Sequence, residues 1–269
     1  MSNAADLSTP YTLQPDKLDH YQKNGWVLLR SVCSASEISE FGPRIIDSAI
    51  RHCREDRPLE ERDTYGKAFL QIMNLWKLDP DIAEFTLAKR FAGIAARLMG
   101  VSKVRLYHDQ ALFKEPGGGH TPWHQDGYFW PLNQGRAVTM WMPLVDVDDV
   151  MGSMSFADGS HHTGVIPLDS GISDDSEAFY DQYVREKGMV VRTSGAMQAG
   201  DATFHSGLTL HKAPGNPTDR TRAVMTVIYV ADGERVTEPQ NANQEADLAQ
   251  WFPGLKPGDL IGSELNPII

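Results

Sequence analysis

The spacing of apolar residues changes at Gly100, and this change restricts the possible folds more than any other feature of the chain. Upstream the pattern is helical. Pro15, Asp16 and Lys17 open a run that continues through Tyr21 and stops at Asn24-Gly25. Ser34, with Glu37 three positions on, makes an N-cap pattern at the head of a helix reaching about Cys53. Ile82, Phe85, Ala88, Phe91, Ile94, Ala95 and Leu98 recur at helical spacing through residues 82–99. Only Trp26-Val27-Leu28-Leu29-Arg30 reads as a strand there, and the charged stretch 54–63 with Pro58 reads as a solvated loop. Downstream, segments 104–114, 121–127, 137–147, 153–157, 188–192, 202–211 and 222–230 are short and β-type, with Gly, Pro or Asp between them.

Helices followed by many strands predict a mainly β protein: an all-β core carrying a helical N-terminal layer. Residues 171–186, acidic with interspersed aromatics, read as an insertion with a short helix. No internal repeat or clean boundary divides the chain. One domain is therefore expected over residues 1–269, with a loose polar start (1–14), a mainly helical part (15–100), the β core (101–232) and a C-terminal extension (233–269).

Composition removes several function classes. A chain of 269 residues buries enough surface to need no disulfide scaffold. Its 25 basic and 36 acidic residues leave a net charge of −11 with no basic stripe, which argues against a nucleic-acid partner. No stretch approaches the ~18 consecutive apolar residues of a membrane span. The opening Met1-Ser2-Asn3-Ala4-Ala5-Asp6 has neither the basic nor the apolar region of a signal peptide. Cys33 and Cys53 are too few for a zinc knuckle or a disulfide framework. A cytoplasmic protein is expected.

Among nine histidines, the most informative lies in Trp123-His124-Gln125-Asp126-Gly127. Alternate residues of a strand share a face, so His124 and Asp126 project together and Gln125 turns outward. An imidazole and a carboxylate side by side are two thirds of the facial triad that holds non-haem Fe(II) and leaves positions open. Taken alone, the pair also reads as a strand-end hydrogen bond without a metal. A third ligand could be His205 or His211, which are six apart and so share a face of a regular strand. Periodicity does not choose between them. The turn-rich segment 213–219 and the strand from Arg222 suggest a hairpin laying that strand beside His211. Arg220 and Arg222 share parity, so either could reach the pocket and offer a dicarboxylate its bidentate fork; otherwise each is a surface ion pair.

Several motifs in this order carry a resemblance. Trp123-His124-Gln125-Asp126-Gly127 is followed by Trp141-Met142-Pro143-Leu144-Val145-Asp146, Gly152, Gly159-Ser160-His161, and His211 with Arg222 eleven positions on. Together they resemble the phytanoyl-CoA dioxygenase family of Fe(II)/2-oxoglutarate-dependent oxygenases. Tyr21, Gly25-Trp26-Val27 and the closing Pro253-Gly254-Leu255-Lys256-Pro257-Gly258 extend the resemblance over nearly the whole chain. It implies a double-stranded β-helix, a jelly-roll or cupin-like pair of sheets with helices packed outside. It implies Fe(II) bound by His124, Asp126 and His211. In the family the arginine lies eleven residues after the second histidine, which pairs His211 with Arg222, whereas His205 would pair with Asn216.

By the same resemblance, Arg222 holds the distal carboxylate of 2-oxoglutarate, Trp141 lines the cosubstrate, and Gln110 and Gln71 fall at further cosubstrate contacts. Ala213 stands where some relatives use a serine for that carboxylate. The family couples O2 and 2-oxoglutarate to succinate, CO2 and a hydroxylated substrate. Related halogenases have a small residue at the position of Asp126, so a carboxylate there implies hydroxylation.

The aromatics Tyr128, Phe129 and Trp130, with Phe69, Asn74 and Trp76, are expected to wall an apolar pocket for a small or medium organic substrate. Residues 169–186 read either as a lid over it or as a solvated surface helix. Gly117-Gly118-Gly119 reads as a flexible entrance, His161 and His162 as structural, and His108 and His120 as open questions at the pocket mouth. Two other functions stay open. One is a catalytically silent relative acting as sensor or scaffold, whose mark would be a degraded triad or a missing arginine. The other is a zinc hydrolase on a cupin-like barrel, which needs a positioned general base that the sequence does not offer.

Overall fold

The computed structural model describes residues 6–168 and 171–269. Ahead of Gly100 lie α1 (Pro15–Asn24), β1 (Trp26–Leu29), α2 (Ala35–His52), α3 (Thr64–Ala68), β2 (Leu70–Met73), α4 (Leu75–Leu78), α5 (Pro80–Thr86) and α6 (Lys89–Met99). After it come β3 (Val104–Lys114), β4 (Thr121–His124), β5 (Ala137–Pro143), β6 (Ser155–Ala157), α7 (Asp174–Glu186), β7 (Val191–Thr193), β8 (Ala202–Ser206), β9 (His211–Ala213), β10 (Arg222–Ala231) and α8 (Ala242–Trp251). The Ser34–Glu37 capping box is formed at the head of α2.

The strands make two antiparallel sheets, one of six in the order β1-β8-β5-β10-β3-β2 and one of four in the order β4-β9-β6-β7. Trp26 of β1 stacks on Phe156 of β6 with ring centroids 4.4 Å apart. Trp141, Met154, Met197 and Val224 join them in a cluster drawn from both sheets, so the sheets face each other as in a jelly-roll core. Strand alternation divides β5 between two environments. Val138, Met140 and Met142 pack with Phe41, Phe85, Phe91 and Leu98 of the helices, while Trp141 belongs to the cluster between the sheets.

Several expectations are corrected. The first hundred residues supply β1 and β2, the two outer strands of the larger sheet, as well as helices. The helix expected over 82–99 is two helices. Leu87 closes α5 by donating to the Ala83 carbonyl, and Ala88 is extended (φ −62°, ψ 123°) before α6 begins. No Gly or Pro marks that break, and Ala88 is itself buried, so the apolar spacing runs straight through it. Residues 6–14 are tied down rather than loose: Leu7 and Leu13 are buried, and the Arg90 guanidinium donates to the carbonyls of Asp6, Thr9 and Val32. The remainder of the expected loose start, residues 1–5, lies outside the described residues.

The segment 202–211 is not one strand. The chain turns at Gly207–Thr209, where the Thr209 amide donates to the Ser206 carbonyl, and passes from β8 in the larger sheet to β9 in the smaller one. At the other end of the Thr209 side chain, its hydroxyl donates to the Gly25 carbonyl. Gly25 has φ +83°, and a Cβ there would sit 2.5 Å from Thr209 Oγ1 and from His161 Nδ1; only glycine allows this approach. The expected hairpin beside His211 is also absent, because β10 pairs with β3 and β5 and not with β9.

Candidate metal centre

Two histidines are brought together by strand pairing. His124 ends β4 and is the register partner of His211 at the start of β9, which puts their ring centroids 4.1 Å apart. His124 Nδ1 lies 2.7 Å from the Pro122 carbonyl and His211 Nδ1 lies 2.9 Å from that of Thr209. A carbonyl only accepts, so each Nδ1 carries a hydrogen, and in the neutral ring Nε2 is then the ligating atom. Backbone carbonyls fix metal-binding histidines in this way. Burial, together with the neighbouring His124, drives the His211 imidazole well below its usual range, so it is neutral.

Asp126 meets both Nε2 atoms. It lies just beyond β4 in a 3-10 turn, Asp126–Phe129, rather than on the strand expected over 121–127. Its Oδ1 is 3.5 Å from His124 Nε2 and 3.5 Å from His211 Nε2, and the three ligand atoms lie within 4.8 Å of one another. Its Oδ2 accepts from Thr139 Oγ1 at 2.8 Å and from His205 Nε2 at 3.1 Å. Burial opposes the charge on Asp126, yet the rings of His211, His124 and His205 hold its carboxyl well below the usual range. Two imidazoles and one carboxylate, with a cavity in front of them, suit a divalent first-row metal such as iron(II).

Gln125 faces away from this cluster but not outward. It is buried, donating to the Gly164 and Leu208 carbonyls and accepting from the Ile166 amide.

The same cavity is lined by Arg222, Trp141, Gln110 and Gln71. The Arg222 side chain is buried and its Nη1 donates to the Gly152 carbonyl at 2.5 Å, while its Nε has no partner. Its guanidinium lies 5.3 Å from the Trp141 ring. Burial brings Arg222 down to about 10, which leaves it charged at neutral pH. A buried guanidinium facing a cavity, without a carboxylate partner among the described residues, is a site for an anion. Gln71 Nε2 donates to Gln110 Oε1 at 2.6 Å, and Tyr65 donates to Gln71 Oε1 at 2.8 Å. Arg220 stays outside, half exposed beside Asp148 and Met151.

Of the expected aromatic wall, Phe69, Phe129 and Trp130 line the cavity. Trp76 instead packs against the helical core and donates its indole N–H to Asn74, and Tyr128 faces a separate groove with Leu132 and Gln240. His108 lines the cavity, neutralised by burial, which pushes it down to about 3. His120 is exposed, 3.9 Å from Asp174. His161 bonds the Gln22 carbonyl and stacks on His162. The three glycines 117–119 are tied, their amides donating to Asn216, Glu115 and Lys67 carbonyls. Within 169–186, residues 169 and 170 lie outside the described residues. The helix α7 packs on β4 through Tyr180, Val184 and Trp123, and Glu177 accepts from the Trp123 amide and from Lys212 Nζ. It is a docked helix rather than a solvated one.

Sequence reasoning missed Thr139, the role of His205, and Asp247. Thr139 shares parity with Trp141 on β5 and is the register partner of His205 on β8, so parity could have found it. Asp247 belongs to α8 in the C-terminal extension, where no pattern linked it to the cavity it lines.

Residues 21–224 match the model of the phytanoyl-CoA dioxygenase family. The chain belongs to that family. Among phytanoyl-CoA dioxygenase-like relatives, it is 24% identical over 229 residues to L-proline trans-4-hydroxylase of Streptomyces griseoviridis, covering 78% of this chain and 83% of the relative. Its fold matches that of the non-heme alpha ketoglutarate dependent carbocyclase SnoK from nogalamycin biosynthesis with a TM-score of 0.78 and 26% identity, over 97% of this chain and 99% of the other. The epimerase SnoN, solved with Fe3+, alpha ketoglutarate and nogalamycin RO, shares the fold with a TM-score of 0.77 and 23% identity, over 94% and 97% of the two chains. No helix among the described residues is long and apolar enough to cross a membrane.

Proposed function

We propose that this chain is an Fe(II)- and 2-oxoglutarate-dependent oxygenase that hydroxylates a C–H bond of a small or medium organic substrate, releasing succinate and CO2. The observation that carries it is the meeting of two imidazole Nε2 atoms on Asp126 Oδ1 in a cavity that also presents the buried guanidinium of Arg222, whose Nε has no partner. A metal-ligand set and an anion site in one cavity are what a chelating dicarboxylate requires. The cavity draws on residues from Tyr65 to Asp247, in keeping with a single working domain.

In this reading His124, Asp126 and His211 hold iron(II), and Arg222 holds the distal carboxylate of 2-oxoglutarate, with Trp141, Gln110 and Gln71 around it. Iron(II) supplies, when bound, the redox chemistry that joins O2 to the decarboxylation of the cosubstrate. The chain's own residues do the rest. The Pro122 and Thr209 carbonyls keep both imidazoles in the ligating tautomer, and Thr139 and His205 hold Oδ2 of Asp126 so that Oδ1 is the one presented. Phe69, Phe129 and Trp130 exclude water from the side where a substrate C–H would lie. Hydroxylation is supported by the carboxylate at position 126 and by the relative that hydroxylates proline.

The test is to add Fe(II) and 2-oxoglutarate without oxygen and to record the visible spectrum. Wild type is expected to give a weak metal-to-ligand charge-transfer band that His211→Ala lacks, and to release succinate once O2 is admitted. A folded, iron-loaded wild type without the band overturns the proposal.

A further inference from the structure

Two carboxylates line the cavity among the described residues, and the metal reading uses only Asp126. The other, Asp247, stands half-buried on α8. Its Oδ2 accepts from the Tyr107 hydroxyl at 2.6 Å. The Trp251 indole, one turn further along α8, also favours the ionised form, yet burial outweighs both and brings the carboxyl up to about 6. Asp247 is therefore mostly ionised at neutral pH, and among the described residues it forms no ion pair. A carboxylate has about four acceptor positions, so Tyr107 and Trp251 leave some of them for the cavity. A partly desolvated charge without a counter-ion is unfavourable.

The basic side chains of the cavity do not supply that counter-ion. Lys212 donates to Glu177. His108 is neutral, pushed down to about 3 by burial. Arg222 bonds the Gly152 carbonyl and belongs to the anion site. The two rings that donate to Asp247 pack against further aromatics. Tyr107 meets Trp130 edge-on with centroids 5.6 Å apart, and Trp251 lies 5.3 Å from His108; Trp130 and His108 both line the cavity. An ionised carboxylate beside aromatic rings attracts a cation and repels an anion. A neutral hydroxyl would fill an acceptor position but leave the charge uncompensated.

We infer that Asp247 is a specificity-determining residue that receives an ammonium group of the substrate, so that the substrate is an organic amine rather than a neutral or anionic molecule of the same shape. The inference rests on the oxygenase reading above and narrows it.

The test uses benzylamine, cyclohexylamine and hexylamine, each beside the alcohol of the same skeleton. All six are titrated at neutral pH into the metal-free protein and followed by tryptophan fluorescence. At least one amine is expected to bind about 10- to 100-fold more tightly than its alcohol, the gain from one hydrogen bond between charged groups. Asp247→Asn, which still accepts from Tyr107, is expected to remove that preference and leave the alcohol's Kd as it was. Asp126→Asn should keep the preference; its loss there instead would put the amine on the metal ligands and overturn the inference. In wild type the carbon bearing the bound ammonium should show nuclear Overhauser contacts to the Tyr107 and Trp251 rings, and a bound amine without them overturns the inference whatever the fold of the variants. So does a wild type that prefers no amine to its alcohol, or a preference that survives Asp247→Asn. These readouts need no metal, so they stand apart from the charge-transfer band: a band without amine preference sinks this inference alone, and amine preference without a band sinks the oxygenase reading.

Discussion

Asp126 uses its two oxygens for different purposes. Oδ2 is held by Thr139 and His205, and Oδ1 alone points at His124 and His211. A carboxylate free to rotate would offer a metal either oxygen, or both; this one is restricted to a single ligand atom. Groups that orient a ligand typically govern affinity by 10- to 100-fold. Thr139→Val keeps the shape of the side chain and removes the donor. It is expected to weaken Fe(II) binding by about that factor, read by competition with a coloured chelator, without altering the far-ultraviolet spectrum of the apo-protein. Wild-type affinity in Thr139→Val would show that His205 alone sets the carboxylate. His205 was one of two candidate ligands in the sequence. Its Nε2 donates to Asp126 and its buried Nδ1 has no partner, so it braces Asp126 from behind and is not part of the candidate ligand set.

At the scale of elements, one residue ties α7 to both histidine strands. Glu177 accepts from the Trp123 amide, one residue before His124, and from Lys212, one residue after His211. Glu177→Ala would leave the Trp123 amide without its acceptor, while Lys212 keeps Asp181 at 3.8 Å; the change is expected to cost about 1–3 kcal/mol, measured by urea denaturation, with faster hydrogen exchange at the Trp123 amide. Unchanged exchange there would mean that Tyr180 and Val184 dock the helix by themselves. Elements were legible in the sequence wherever one local rule decided them. The Ser34–Glu37 box heads α2, and the β-type segment 104–114, set off by Gly and Pro, is β3 at its full length. Legibility failed where the deciding partner is distant in the chain. Gly207–Thr209 becomes a turn because Gly25 receives Thr209, and the α5–α6 break carries no local signal. The site followed the same division. His124, Asp126, His211 and Arg222 were readable from motif and resemblance, whereas Thr139 and Asp247 are set by register and by the return of α8 to the cavity.

At the scale of the whole molecule, the candidate centre joins the two sheets. Both histidines belong to the four-stranded sheet, and both donors to Asp126 Oδ2 belong to the six-stranded one. A metal bound here would hold strands β4 and β9 against β5 and β8, adding about 2.7 kcal/mol at a free concentration 100 times its Kd. Hydrogen exchange should slow on both sheets when Fe(II) is added anaerobically; protection confined to β4 and β9 would show that the sheets move independently. The crossing of the chain from β8 into β9 also has a consequence in time. His205 belongs to one sheet and His211 to the other, so the centre is complete only when the two layers face each other. It is therefore expected to form late in folding, and a contact made late acts on the rate of unfolding more than on that of folding. Iron would not guide this chain to its fold; it would lengthen the life of a fold already reached.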